Sequence, residues 1–231
     1  LKAFRNQLKD RGYTVAGCWS LDAATGPQWA QKNDVPWFQN TRELDAHVDA
    51  YMILAPSNPE THLELAQKFF PFGKITYVDK TFAPDLATAE QIFKLADEHK
   101  VPMQTTSALR YTNVQKAAEA LGGRAALKHM VAWGNGGSFA EYAIHPVEMV
   151  VSCMGPEATS LLRRGQGDFS QLLINFSGDR TAVVNVYANT DTPFAATLTD
   201  AKRTQWVPVD TSTLFIDMAR GICDFFDKGE P

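Results

Sequence analysis

The chain has 231 residues, 45% of them apolar and 21% charged, with 15 glycines, 12 prolines and 3 cysteines; this composition is globular and excludes the disordered, collagen-like and disulfide-scaffold classes. Its 22 Lys and Arg against 26 Asp and Glu give a net charge of −4, without the basic excess that a phosphate backbone draws on, so nucleic acid is not an expected partner. No apolar run approaches the roughly 18 residues of a membrane span, and the spacing of Cys18, Cys153 and Cys223 suits neither a disulfide framework nor a metal; no membrane partner is expected, and a reducing, cytoplasmic location is.

In chain order, Leu1, Phe4 and Leu8 recur at intervals of three and four, which predicts an opening helix that stops at Gly12. The run Tyr13 to Trp19 reads as a strand, and Ala23 to Lys32 as a helix ended by Asn33, Asp34 and the Val35-Pro36 pair. A second strand, Ala50 to Leu54, is followed by Pro56, Asn58 and Pro59 and then a helix from Glu60 to Phe70. Next come a strand at Ile75 to Val78, a helix at Asp85 to His99 with Leu86, Ala89, Ile92, Phe93 and Ala96 on one stripe, and a strand at Val101 to Thr105. Four such alternations predict a doubly wound parallel sheet, hence an α/β domain over residues 1–110.

After Arg110 the pattern changes. A helix at Asn113 to Leu121 ends in Gly122-Gly123, and Ala126 to Trp133, Gln171 to Phe176, Thr181 to Tyr187, Phe194 to Leu198 and Thr204 to Val209 read as strands. The helical segment Glu141 to Met154 interrupts them, and a last helix, Thr213 to Lys228, is expected to pack on this second sheet. Residues 111–231 are therefore an expected second, α+β domain with an open, mostly antiparallel sheet. Such a sheet leaves a face to cover, so a homo-oligomer, dimer or tetramer, is expected through it, with Val183, Val184, Val186, Tyr187 and Phe194 as candidate contacts.

Ligands of a doubly wound sheet bind outside the carboxyl ends of its strands. Those positions hold Ser20-Leu21-Asp22, Ala55-Pro56-Ser57-Asn58, Asp79-Lys80-Thr81 and Thr106 to Arg110. Three segments carry a resemblance. Ile53 to His62 is similar to a strand end leading into a helix with an early His, Tyr77-Val78-Asp79-Lys80-Thr81 to a Glu-Lys-Pro signature, and Glu141 to Glu148 to an Asp-x-Gly-x-His-x-x-Asp segment. In this order they resemble the Gfo/Idh/MocA family of nicotinamide-dependent oxidoreductases, over nearly the whole chain. The family's glycine-rich dinucleotide turn is expected upstream of Leu1, and Gly134-Asn135-Gly136-Gly137 does not complete it and reads as a loop.

The resemblance implies NADP or NAD as cofactor and a Rossmann domain followed by an open sheet domain. Lys80 then holds the substrate hydroxyl, His145 exchanges its proton, and Glu141, four residues earlier on the same helix, or Glu148 orients the imidazole. Ser20 stands where a ribose-binding acid is usual, with Asp22 two residues on; a serine there removes repulsion of a 2′-phosphate and favours NADP. Pro56, Ser57, Asn58, His62 and Asp79 are expected at the cofactor, although Ser57, Asn58 and His62 can equally cap a helix. Arg110 can bind an anionic substrate group or form a salt bridge. Thr81 replaces the family proline, which is often linked to a cis peptide. The expected reaction is hydride transfer to or from a small sugar, polyol or related compound. A degenerate member that binds a nucleotide, a sugar-like ligand or a partner without turnover is the alternative, and an imine or cyclic unsaturated substrate is a third reading. No metal is expected, because no His, Cys, Asp and Glu set has ligand spacing.

Overall fold

A computed structural model describes residues 2–55 and 58–230. They form two compact units, one holding the chain up to Thr106 and again from Ala219, the other Ser107–Met218. The boundary thus falls slightly before the expected Tyr111. The last helix also differs from expectation, since its larger part joins the first unit. Arg11 Nη2 donates to Asp224 at 2.7 Å and Asp227 at 2.8 Å, and the Tyr13 ring packs on Phe226 at 5.8 Å while its hydroxyl donates to Asp227. Exposed ion pairs alone are worth little, but Ile222, Cys223 and Phe225 of the same helix are buried.

The first unit carries a parallel sheet of three strands, β1 (Tyr51–Ile53), β2 (Thr76–Val78) and β3 (Met103–Thr105), in that spatial order. Around it lie α1 (Lys2–Asn6), α2 (Gly26–Lys32), α3 (Thr41–Asp45), α4 (His62–Phe69) and α5 (Leu86–Glu98). Ile53 and Val78 of the strands meet Ala66 of α4 and Ile92 and Ala96 of α5 in one core; full burial of each large aliphatic side chain contributes roughly 1.5–3 kcal/mol. The stripe of α5 is narrower than its sequence period suggests. Leu86 is 74% exposed, and Phe93, half-exposed, stacks on Phe82 at 5.1 Å.

The run Tyr13 to Trp19 does not form a strand. It is held by one bridge, in which Cys18 N–H donates to Pro36 and Phe38 N–H donates to Cys18, because no strand lies alongside to continue a ladder among the described residues. Gly17 lets Phe38 lie flat on this run, since a Cβ there would stand 2.2 Å from the ring.

In the second unit β4 (His129–Gly136), β5 (Ala158–Arg164), β6 (Phe169–Phe176), β7 (Arg180–Ala188), β8 (Ala195–Thr199) and β9 (Thr204–Pro208) form one sheet in the order β5-β6-β7-β4-β8-β9. Only the β4–β7 pair is parallel. Contrary to the expected loop, Gly134 to Gly136 stay in β4, because β7 offers partners as far as Ala188. The helices are α6 (Asn113–Ala120), α7 (Phe139–Tyr142), α8 (Ile144–Met154) and the start of α9 (Leu214–Lys228). Alternate strand residues, among them Met130, Ala132, Leu172, Ile174, Val184, Val186 and Leu198, pack with Met149, Val150 and Cys153 of α8 and Val114 and Ala118 of α6. Val184 and Val186 therefore belong to the core and not to an open face, as the period of two requires.

Candidate active site

Each unit places one part of the expected constellation. In the first, the segment after β2 is fixed from three sides. Asp79 N–H donates to Ile53 of β1 at 2.9 Å, the Asp79 carboxylate accepts the Lys80 N–H at 2.7 Å, and the buried ring of His62 donates through Nδ1 to the Phe82 carbonyl at 2.9 Å. Lys80 is half-buried on this pinned turn, and the Lys80–Thr81 peptide is cis. Burial pushes the Asp79 carboxyl above its usual range, opposed by the Lys80 N–H and ammonium. His62 itself is not exposed toward a ligand and makes no capping bond; it is a clamp between the helix after β1 and the turn that carries Lys80.

Ser20 and Asp22 stand after the first run as expected. The Ser20 hydroxyl accepts the Asp22 N–H at 3.1 Å, while the Asp22 carboxylate accepts from Ala24 N–H, Thr25 N–H and the Thr25 hydroxyl. The Thr25 hydroxyl and these amides hold the Asp22 carboxyl below its usual range. Asp22, not Ser20, thus organises the turn into α2. Asn58 is exposed, and its backbone carbonyl, not its side chain, holds the Thr61 turn; Pro56 and Ser57 lie outside the described residues.

Buried polar side-chain atoms nearly always find partners. Among the described residues four do not: His62 Nε2, Thr81 Oγ1, Gln104 Oε1 and Thr106 Oγ1. A carbonyl can only accept, so His62 Nδ1 carries the proton and Nε2 is left an acceptor without a donor. All four atoms belong to β3 or to segments that follow β1, β2 and β3, the edge where a doubly wound sheet meets its ligand. Apart from the enclosed His62 ring, this set of an acceptor and two hydroxyls fits a dinucleotide with its amide and hydroxyl groups.

In the second unit His145 sits in the first turn of α8, with Nδ1 2.7 Å from Ser107 Oγ. Its ring packs against Tyr142 at 5.6 Å and edge-on to Phe194 at 6.0 Å. Two glycines of β4 make room. A Cβ at Gly136 would fall 1.9 Å from the Tyr142 ring, and one at Gly134 would meet Pro146 and Phe194 at 2.9–3.0 Å. Glu141 lies on α7, which is set off from α8 at Ala143; Pro146 has no N–H to return to the Tyr142 carbonyl, so the single helix read from the sequence is interrupted there.

Glu148 does not serve His145 as its hydrogen-bond acceptor; its Oε1 takes the Nε–H of Arg110 in a salt bridge whose carboxylate is 11% exposed. The salt-bridge reading of Arg110 is thus the one the geometry favours. Glu148→Ala is expected to lower unfolding stability by about 1–3 kcal/mol, between the values of exposed and buried pairs. Urea unfolding of the variant beside the parent checks this. Ser107, within the Thr106 to Arg110 positions but given no role by the sequence, caps the turn Ala108–Arg110 by accepting the Leu109 N–H.

The comparisons with known proteins bear first on the first unit. Residues 2–107 match the family model GFO_IDH_MocA, described as oxidoreductase family, NAD-binding Rossmann fold. Residues 2–107 are thus an NAD-binding Rossmann domain of the Gfo/Idh/MocA oxidoreductase family type. By sequence, no curated protein matches it. Among solved structures it is similar to the UDP-N-acetylglucosamine 3-dehydrogenase GnnA of Acidithiobacillus ferrooxidans, with 15% identity, TM-score 0.78 and coverage of 100% of this chain and 87% of that one. It is also similar to the scyllo-inositol dehydrogenase of Lactobacillus casei, at 13% identity, TM-score 0.75 and coverage of 94% and 81%. A third is GenD2 from gentamicin A biosynthesis in complex with NAD, at 14% identity, TM-score 0.70 and coverage of 91% and 78%. At these identities the likeness is one of fold, a parallel sheet with helices followed by a mostly antiparallel one. No helix of the described residues is long and apolar enough to cross a membrane.

Proposed function

We propose that this protein, with its Gfo/Idh/MocA-type Rossmann domain, is an NAD(P)-dependent dehydrogenase that moves a hydride between the nicotinamide and a hydroxyl- or carbonyl-bearing carbon of a cyclic polyol or sugar. The observation that carries this reading is the pinned turn after β2, which holds Lys80 by three backbone anchors at a ligand-binding strand end. The substrate class follows the names of the fold relatives, a nucleotide-linked amino sugar and an inositol among them. When bound, the cofactor supplies the hydride acceptor or donor. Ser20, Asn58 and Asp79 would hold it. Lys80 hydrogen-bonds the reacting oxygen and shares its developing charge, and the oxygen's proton passes to Lys80 or His145.

Charge favours NADP. Ser20 offers no carboxylate to repel a 2′-phosphate, and the oxygens of Asp22 are turned to Ala24 and Thr25. In a parallel titration of the full-length gene product followed by nicotinamide fluorescence, NADPH is expected to bind more tightly than NADH. Ser20→Asp is expected to weaken NADPH by about tenfold, the effect of roughly 1.4 kcal/mol. Equal binding of both cofactors in parent and variant would remove Ser20 from cofactor selection. Binding of neither would remove the dehydrogenase reading itself.

The same reading includes a homo-oligomer formed through the open face of the second sheet. Register aligns Leu162, Leu173, Val183, Val131, Thr197 and Trp206 in one row across all six strands, and Leu162 and Trp206 are 60% and 52% exposed. One neighbouring row is polar, with Ser160, Asn175, Thr181, His129, Thr199 and Thr204. An apolar row with a polar margin suits a self-complementary contact. Val183→Lys is expected to convert the assembly to monomer in sedimentation; a monomeric parent would contradict the assignment.

A further inference from the structure

We propose that Ser107 is a positioning residue that fixes His145 as its Nε2–H tautomer, so that the imidazole meets the substrate oxygen as a neutral hydrogen-bond donor. The functional half of this inference rests on the dehydrogenase reading; the tautomer itself does not. Ser107 is fully buried, and its Oγ already accepts the Leu109 N–H at 3.1 Å. A hydroxyl carries one proton, and a buried one needs an acceptor. Among the described residues, the acceptor in reach is His145 Nδ1, at 2.7 Å. Nδ1 therefore receives a proton from Ser107 and carries none, which leaves the ring's own proton on Nε2.

The surroundings keep this arrangement in place. Ser107 has extended backbone, φ −87 and ψ 150, and is tied to the turn it caps. His145 is held between Tyr142 and Phe194. Neither partner can turn away without breaking the cap or the ring packing. A hydroxyl partner also differs from a carboxylate in kind. An aspartate or glutamate on Nδ1 would favour the imidazolium and a proton at that nitrogen, whereas the serine serves the neutral ring. With NAD(P) bound to supply the hydride acceptor or donor, His145 would donate its Nε2–H to the reacting oxygen while Nδ1 stays engaged by Ser107.

The experiment is nitrogen-15 NMR of the full-length protein labelled in histidine, near neutral pH, with Ser107→Ala and Ser107→Thr beside the parent. In the parent, the His145 ring is expected to show a bare Nδ1 and a protonated Nε2. Ser107→Ala is expected to give signals averaged between the two tautomers, with kcat lowered by up to about a hundredfold and cofactor affinity unchanged; Ser107→Thr, which keeps the hydroxyl, is expected to restore both. A protonated Nδ1 in the parent, or a parent-like ring spectrum in Ser107→Ala, overturns the proposal. Should Ser107→Ala fail to fold, the parent and Ser107→Thr spectra decide the tautomer. If Ser107→Ala turns over like the parent while His145→Ala does not, Ser107 has no positioning role and the dehydrogenase reading stands. If the parent shows no nicotinamide-dependent turnover, that reading falls, and the spectra still decide the tautomer.

Discussion

Lys80→Met is expected to slow turnover by about 10³-fold or more while the Kd for NADPH stays close to that of the parent. Methionine keeps the length and most of the apolar stem of lysine, so packing around the half-buried chain changes little. On the proposed reading, what is lost is the donor that hydrogen-bonds the reacting oxygen as hydride moves. Removing one such donor from a preorganised site costs about 10²–10³ in kcat, and losing a proton-exchanging group at the same atom adds to this. The turn itself survives, because Asp79, Ile53, His62 and Phe82 anchor it through backbone atoms and the His62 ring, not through the lysine side chain. Steady-state rates from nicotinamide absorbance and affinity from fluorescence separate the two effects. A variant that turns over normally takes Lys80 out of the mechanism, and one that loses cofactor affinity instead makes it a binding residue.

His145→Ala is expected to lower kcat by about 10²–10⁴-fold, the usual worth of a positioned acid, base or donor side chain at a reacting oxygen. Substrate KM is expected to move less than kcat, because the interaction strengthens as charge develops on the oxygen. Ser107 Oγ lies at Nδ1, so the proposal assigns Nε2 to the substrate oxygen. His145→Asn, which retains a side-chain N–H, is expected to recover part of the loss. Equal rates for the parent and the alanine variant would leave His145 a structural residue between Tyr142 and Phe194.

Much of this arrangement was legible in the sequence, and the exceptions have identifiable causes. The strand-helix alternation located β1, β2, β3, α4 and α5, because buried parallel strands are short apolar runs and the helices between them carry a stripe. Tyr13 to Trp19 has the same composition but lacks a partner to complete its ladder, and composition does not report partners. β5 went unseen for the opposite reason: every residue of it is exposed, so it has no alternation to read. α3 carried a signal that could have found it, since Asn40 caps it by accepting the Glu43 N–H at 2.8 Å and Asn-x-x-Glu is a start pattern.

At the site, residue type was legible and partnership was not. Local motif singles out Lys80 and His145 as candidates. The clamp from His62 to Phe82 and the pair of Ser107 with His145 join residues 20 and 38 positions apart, beyond the reach of helix periodicity. Glu148 shows the same limit. Three residues from His145 on one helix, it was a reasonable partner by spacing, but Arg110 competes for it with a full charge and a short hydrogen bond. A planar guanidinium outcompetes a neutral ring for a nearly buried carboxylate.

Hydride transfer is tested most directly by incubating the full-length gene product with NADP and NAD in turn, with inositols and sugars as substrates, and following nicotinamide reduction. A deuterium label on the reacting carbon reports the transfer itself. The account predicts that at least one cyclic polyol or sugar passes its deuterium to the nicotinamide, with NADP preferred, and that Lys80→Met abolishes the transfer. Saturable binding of NADP or of a sugar without any deuterium transfer across the panel would contradict the dehydrogenase reading and leave a ligand-binding protein without hydride-transfer chemistry.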